Sequence, residues 1–250
     1  GATVTVDNTA PVLAAVTQVE TPSNDTTPSY VFTTGEAGTI TTNITEGFST
    51  SSSAATGSNQ TITFNTLGAG TYADKTITVT DAAGNASSLT LVTFVIDTTA
   101  PTAAITYNST SPYKNGDTVT ITATFNGPVA DSPVPTIAIA GSGIANVTST
   151  NMTKTSTTVY TYSYAVPTGD GTGTVTVGTA QDAAGNVVTS TPTSGATFTV
   201  DNTAPTGAIT YSADGPYKQG ATATVTATFT EALTTTPKIA ISGVSTVAAT

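Results

Sequence analysis

The chain has 250 residues, of which 15 are acidic and 5 are basic, so its net charge is −10. It contains no cysteine and no histidine. This composition excludes disulfides, zinc or copper sites built on those residues, and Ser-His-Asp or Cys-His catalysis. The few basic residues cannot form the electropositive surface that nucleic acid binding needs. No apolar run reaches the roughly 18 residues of a membrane-spanning helix.

An all-β fold is predicted from the residue types and their alternation. Threonine, which is β-branched and favours strands, dominates the polar residues, whereas strong helix formers are scarce. Apolar and polar residues alternate with a period of two. This alternation predicts strands at 12–19, 30–34, 39–45, 61–65, 72–80 and 89–96, then at 103–108, 118–125, 136–140, 158–165, 173–179 and 196–200. The residues expected to face the cores include Val31, Ile62, Phe64, Ile77, Val79, Phe94, Ile121, Ile137, Ile139, Tyr162, Val175 and Phe198.

Internal repetition sets the predicted domain boundaries. The sequence VDNTAP at 6–11 returns as IDTTAP at 96–101 and as VDNTAP at 200–205. These spacings match one immunoglobulin-type sandwich of about 100 residues. A second signature, DAAGN, occurs at 81–85 and at 182–186. We therefore expect tandem immunoglobulin-like antiparallel β-sandwiches, arranged as an elongated rod.

The predicted domains include two complete ones and two partial ones. Complete sandwiches are expected at 7–96 and 97–200. Residues 201–250 match the first half of the second sandwich and predict the first half of a further domain. Residues 1–6, GATVTV, nearly repeat GATFTV at 195–200, so they are expected to be the last strand of a preceding domain.

The sequence of the first unit resembles a known family. TTP at 26–28, GEAGT at 35–39, GTY at 70–72 and ITVTDAAGN at 77–85 are similar to the bacterial Ig-like tandem repeats of giant extracellular adhesins and biofilm-associated surface proteins. The later units diverge from this pattern at Pro-Tyr-Lys, 112–114 and 216–218. The resemblance implies an extracellular location, at the cell surface or secreted, and a role in cell adhesion. It also permits calcium at the domain junctions.

Strand directions in such a sandwich bring several acidic residues to one of its two ends, here called a pole. The linker and the loops before the third and the last strands meet there, so Asp7 should lie beside Asp81 and Asp97 beside Asp182. The second unit offers only Asn126 or Asp131 as a further oxygen ligand. The residues predicted to bind Ca²⁺ at interdomain junctions are Asp7, Glu36, Asp81, Asp97, Asp182, Asp201 and Glu231.

Turn formation is the alternative interpretation of these aspartates. Asp begins Asx turns, and Gly-Asn supplies residues with positive φ, so DAAGN is also a hairpin turn. The linker aspartate would then stabilise the bend before Ala-Pro. Both interpretations stay open at this point.

Three functions agree with the sequence, and none of them is enzymatic. The first is a structural stalk or spacer in a surface protein or fibre, with neighbouring Ig-like repeats as its partners. The second is a subunit of a self-assembling extracellular filament, in which like chains complete one another by strand exchange. The third is a set of Ig-like modules that bind a glycan or another ligand. No catalytic residue and no nucleic acid partner is predicted.

Overall fold

The computed structural model describes residues 3–243, and these contain strands and no helix. Every pair of named strands is antiparallel. The expectation of an all-β, antiparallel fold is therefore confirmed. The described residues include no helix with the length and apolar character needed to cross a membrane. The chain divides into two compact units, 1–200 and 201–250.

Residues 7–96, here called the first repeat, form strands β1 to β9. Two main sheets have the orders β1-β2-β5 and β4-β3-β7-β8, and β6 pairs with β9. Within β7, Ile77 and Val79 are buried while Thr76, Thr78 and Thr80 are half-buried, as a strand with one face toward the core requires. The strands are β1 Leu13–Thr17, β2 Ser29–Thr34, β3 Gly38–Thr42, β4 Ser53–Ala54, β5 Asn59–Thr63, β6 Gly70–Tyr72, β7 Thr76–Thr80, β8 Ala86–Thr90 and β9 Phe94–Ile96.

Residues 97–200, here called the second repeat, form two four-stranded sheets. Their orders are β10-β11-β15-β14 and β13-β12-β16-β17. The strands are β10 Ala103–Tyr107, β11 Thr118–Phe125, β12 Thr136–Ala140, β13 Val147–Asn151, β14 Thr153–Lys154, β15 Val159–Ala165, β16 Gly171–Gly178 and β17 Thr197–Val200.

Each repeat has its own hydrophobic core. The buried side chains form one cluster between Val19 and Ile96 and a separate cluster between Ala103 and Val200. The predicted core residues are buried except Val31 and Tyr162, which are half-buried. In β2 the buried residues are Tyr30, Phe32 and Thr34, on the opposite face from Val31. Strands with apolar residues on both faces leave the inward face undecided in the sequence.

Several predicted strands have different bounds in the structure. The predicted strand 72–80 is two strands, β6 and β7, because Asp74 has φ 55° and the two segments pair with different partners. The predicted strand 89–96 is likewise divided into β8 and β9. Strands β4, β13 and β14 were not predicted. They are rich in serine, threonine and asparagine, so they carry no apolar alternation.

The unit 201–250 contains the hairpin of β18 Gly207–Tyr211 and β19 Val225–Phe229. Gly207 pairs with Phe229 as Ala103 pairs with Phe125, so the hairpin repeats the β10-β11 register. Its side chains are more exposed: Ile209 is 49% exposed, whereas its counterpart Ile105 is 3% exposed. That this unit is the first half of a further domain stays a prediction, and residues 244–250 lie outside the described residues.

Residues 3–6 belong to no strand. Val4 and Val6 are 89% and 80% exposed. The assignment of residues 1–6 to a preceding domain stays a prediction, and residues 1–2 lie outside the described residues.

Candidate functional site

The DAAGN segments at 81–85 and 182–186, here called the corners, are turns closed by their aspartate. Asp81 Oδ1 accepts hydrogen bonds from the backbone N–H groups of Ala83 at 2.9 Å and Asn85 at 2.8 Å, and Asp81 Oδ2 accepts one from Asn85 Nδ2 at 2.9 Å. Asp182 accepts the same three bonds in the second corner, each at 2.9 Å. Turn formation by the corner aspartates, one of the two interpretations, is therefore present in both repeats.

The asparagine that ends each corner also binds the linker of its own repeat. Asn85 Nδ2 donates to the backbone carbonyl of Asp7 at 3.1 Å, and Asn186 Nδ2 donates to that of Asp97 at 2.8 Å. This role of the asparagine was not predicted. The linker and the corner recur in the same order in both repeats, but that recurrence does not distinguish the asparagine of the corner from its aspartate.

The linker aspartates form local turns. Asp7 Oδ1 accepts a hydrogen bond from the backbone N–H of Thr9 at 3.0 Å. Asp97 and Asp201 do the same, with bonds of 2.9 and 3.0 Å to the N–H group two residues later. One oxygen of each linker carboxylate is thus used in an Asx turn, while carboxylate oxygens retain further lone pairs for other partners.

Three of the predicted ligands meet at the first pole. Carboxylate oxygens of Asp7, Glu36 and Asp81 lie within 4.8 Å of one another, and the residues range from half-buried to exposed. Hydrogen bonds from the Asn85 side chain, and then from backbone N–H groups, lower the pKa of Asp81. Three carboxylates with backbone or solvent oxygens suit Ca²⁺, which takes six to eight oxygen ligands. Across residues 3–243 this is the only such group of three.

The other four predicted ligands form no comparable group. Asp97 and Asp182 line one pocket of about 320 Å³, but Asn126 Oδ1 there accepts a hydrogen bond from Thr102 N–H at 2.9 Å. Asp131, the alternative third ligand, forms an ion pair with Lys154. In the unit 201–250, Asp201 and Glu231 are not part of any group of three in the described residues.

The two repeats are in direct contact next to this pocket. The loop of residues 21–25, here called the distal loop, follows β1. Asn24 N–H donates to the Ala184 carbonyl at 3.0 Å. Ala184 is only 8% exposed, and a Cβ added at Gly185 would lie 3.5 Å from Asn24 Nδ2. The sequence does not predict this contact, because Asn24 and Ala184 lie in segments that share no sequence motif.

Three tyrosines of the second repeat pack around one phenylalanine. Tyr107, Tyr113 and Tyr164 pack against Phe198, with ring centroids between 5.4 and 5.9 Å from it. Burial raises the pKa of Tyr107 to about 12, with a further contribution from Tyr113. These rings therefore serve the core, where aromatic packing contributes to stability.

No protein-family model matches the chain, and no curated protein matches it significantly.

Proposed function

We propose that this chain is a structural spacer, a region of tandem Ig-like β-sandwiches in an extracellular cell-surface protein. It separates an adhesive part of the parent protein from the cell surface, or forms a segment of a surface fibre. It is not an enzyme. Its partners are the neighbouring repeats of its own chain.

The observation that carries this proposal is the bonding of Asp97. Its N–H donates to the Ser23 carbonyl of the first repeat at 2.9 Å, and its carbonyl accepts a bond from Asn186 of the second repeat at 2.8 Å. The first repeat's last strand ends at Ile96, so no flexible segment separates the two sandwiches. A junction without a flexible linker suits a spacer, which must hold the parts at its two ends at a fixed distance.

The sequence supports the same function. The family resemblance at 26–28, 35–39 and 77–85 is to surface proteins with this role. Ala-Pro follows each linker aspartate, and proline restricts the backbone there. A threonine-rich, weakly charged surface and the absence of histidine and cysteine agree with a structural role outside the cell.

Small-angle X-ray scattering of the full chain tests the spacer. A second chain, with residues 7–96 duplicated in tandem, provides the comparison. We expect an elongated particle whose maximum dimension increases by the length of one sandwich on duplication. A compact particle, with an unchanged maximum dimension in the longer chain, would contradict the proposal.

Calcium binding at the first pole is a second part of the proposal. Asp7, Glu36 and Asp81 would hold Ca²⁺, and the ion would screen the repulsion between their carboxylates. Binding to the folded chain alone stabilises it by about 2.7 kcal/mol at a hundredfold excess over the dissociation constant. We do not extend this to Asp97 with Asp182 or to Asp201 with Glu231, since within residues 3–243 neither pair belongs to a group of three acidic residues.

Thermal unfolding with and without Ca²⁺ tests this part. Glu36→Gln should abolish the rise in melting temperature, whereas Glu20→Gln, at an exposed glutamate outside the cluster, should preserve it. Asp182→Asn should also preserve it. If the unmodified chain shows no response to Ca²⁺, the acidic residues of the pole act in turns alone.

A filament built by strand exchange is the second candidate function. It is favoured by the exposed apolar residues of the unit 201–250, where Ile209 is 49% and Tyr211 63% exposed. Val4 and Val6 occupy the sequence positions of Phe198 and Val200, which are buried in β17. Sedimentation velocity over a range of concentrations should then show oligomers that a Val4→Asp, Val6→Asp chain does not form. A monomer at all concentrations would eliminate this candidate.

A further inference from the structure

We infer that Asn126 is a modification site, at which the side-chain amide is converted to a carboxylate by spontaneous deamidation in the folded chain. The sequence contains two Asn-Gly pairs, at 115–116 and 126–127. Glycine has no Cβ, so its backbone nitrogen can approach the preceding side chain closely. The sequence does not distinguish the two pairs, whereas the structure does. The inference is independent of the proposed spacer function.

The reaction needs only water. The Gly127 nitrogen gives up its proton to hydroxide and bonds to Asn126 Cγ. The bond between Cγ and Nδ2 then breaks, and ammonia leaves with a proton from water. Water opens the resulting five-membered succinimide at one of its two carbonyls, which gives aspartate or isoaspartate. One water molecule is consumed and one ammonia is released, so nothing is oxidised or reduced.

The attacking nitrogen is unpaired at Gly127 and paired at Gly116. Within residues 3–243 the Gly127 N–H has no hydrogen-bond partner, and no described atom lies within 4 Å of a Cβ added there. The Gly116 N–H donates to the Val166 carbonyl at 3.3 Å, and Gly116 is held in a turn at φ 90°. That hydrogen bond must break before Asn115 can react. The fold therefore protects Asn115 and leaves Asn126 reactive.

The amide carbonyl of Asn126 is prepared for attack. The Thr102 N–H donates to Asn126 Oδ1 at 2.9 Å. A donor in this position stabilises the negative charge that develops on the oxygen when the carbonyl is attacked. Asn126 is exposed, and its Nδ2 has no hydrogen-bond partner in the part of the chain that the structure describes. Ammonia can therefore leave directly into solvent.

The product places a third carboxylate in the pocket beside the contact between the two repeats. Asn126 lines this pocket of about 320 Å³ together with Asp97 and Asp182. The new carboxylate keeps the Thr102 N–H as a donor, and its charge strengthens that hydrogen bond. The same charge repels those of Asp97 and Asp182, and salt screens this repulsion.

Peptide mapping of the aged, folded full chain tests the inference. After incubation at mildly alkaline pH, cleavage after lysine releases residues 115–154, which contain Asn115, Asn126, Asn146 and Asn151. Tandem mass spectrometry locates the mass increase of about one dalton that deamidation causes. We expect conversion at Asn126 severalfold faster than at Asn115, and comparable rates at these two residues in a chain unfolded by urea. Conversion of Asn115 as fast as Asn126 in the folded chain, or no conversion of Asn126, would overturn the inference.

Gly127→Ala is the matched variant for the succinimide route. The added methyl group lies in open space, so the midpoint of urea unfolding should not change. The methyl group hinders the attack of the backbone nitrogen, and conversion of Asn126 should therefore fall severalfold. An unchanged rate of conversion would overturn the role assigned to the Gly127 nitrogen.

Asn126→Asp reproduces the charge of the product and tests its consequence. At low salt it should lower the midpoint of urea unfolding more than Asn151→Asp does, at an exposed strand asparagine, and added salt should reduce the difference. Equal effects of the two substitutions at low salt would overturn the placement of the new charge beside Asp97 and Asp182.

Discussion

The asparagine at the end of each corner binds the linker and the corner aspartate at the same time. Asn186 donates to the Asp97 carbonyl and to Asp182 Oδ2. The sequence predicted that Asp97 and Asp182 share a pole, because strand directions in a sandwich determine which loops are neighbours. It could not predict that an amide side chain connects them, because that depends on the rotamer and on the exact approach of the linker.

Asn186→Ala should lower the free energy of unfolding by about 1–3 kcal/mol, because the Asp97 carbonyl and the Asp182 carboxylate each lose a donor. Urea unfolding measures the change. Asn151→Ala, at an exposed strand asparagine, should change it by less than about 0.5 kcal/mol. Equal effects of the two substitutions would contradict the role of Asn186.

The acid dependence of stability should contain a contribution from Asp81. Its pKa is lowered in the folded chain from 3.8 by hydrogen bonds from Asn85 and the backbone. The folded chain therefore keeps the charge where the unfolded chain has bound a proton. The stabilisation is fully present above 3.8 and is lost as the pH falls through the lowered folded value.

Unfolding of the chain and of Asp81→Asn between pH 7 and 2 measures this contribution. We expect a constant difference between the two at higher pH, which decreases below about pH 4. A difference that stays constant down to pH 2 would show that the Asp81 charge does not contribute.

Two tyrosines of β15 provide a contrast between a paired and an unpaired hydroxyl. Among the described residues, Tyr160 Oη is buried without a hydrogen-bond partner, while Tyr164 Oη donates to the Ala145 carbonyl at 3.0 Å. Tyr160→Phe should raise the free energy of unfolding by roughly 1 kcal/mol, and Tyr164→Phe should lower it by a similar amount. Chemical denaturation measures both, and a loss of stability in Tyr160→Phe would indicate a partner for that hydroxyl.

The strands show which parts of a β-sandwich are readable from sequence. In β7 and β12 threonine or alanine alternates with isoleucine and valine, and their buried isoleucine and valine residues were predicted correctly. In β15 tyrosine occurs at 160, 162 and 164, all on one face, and only the structure shows that Tyr162 is half-buried against the core whereas Tyr160 and Tyr164 are buried in it. The short edge strands β4, β13 and β14 could not be predicted. They are held by backbone hydrogen bonds, and their sequences have no alternating apolar residues that would indicate a buried face.

Strand β16 contains a glycine whose role follows from its neighbour in β17. Gly173 pairs with Phe198, and a Cβ at Gly173 would lie 2.5 Å from the Phe198 ring. Gly173→Ala should therefore lower the free energy of unfolding by about 1–3 kcal/mol. Gly127→Ala, where no described atom lies within 4 Å, is the control, and both changes are measured by thermal or urea unfolding. Equal stability of the two variants would show that the ring moves without cost.

The arrangement of the repeats was partly predictable. The recurrence of Ile-Asp-Thr-Thr-Ala-Pro and of DAAGN indicated the two sandwiches, and each has its own core in the structure. The contact between Asn24 and Ala184 was not predictable, since it joins segments that share no motif. Calcium binding is proposed for the first repeat alone for a similar reason. Whether acidic residues converge depends on loop lengths, and the loop after β2 in the first repeat is shorter than the loop after β11 in the second.

Amide hydrogen exchange at the hydrogen bonds of the junction is the most direct test of the spacer function. Amide hydrogen exchange of the full chain, measured by NMR, reports the Asn24 and Asp97 N–H groups, which donate to Ala184 and Ser23. If the two repeats are joined without slack, both amides should exchange as slowly as amides inside the sheets. Exchange of the Asn24 amide at the rate of an unstructured peptide, with the sheets still protected, would show that the junction is open and would contradict the proposed function.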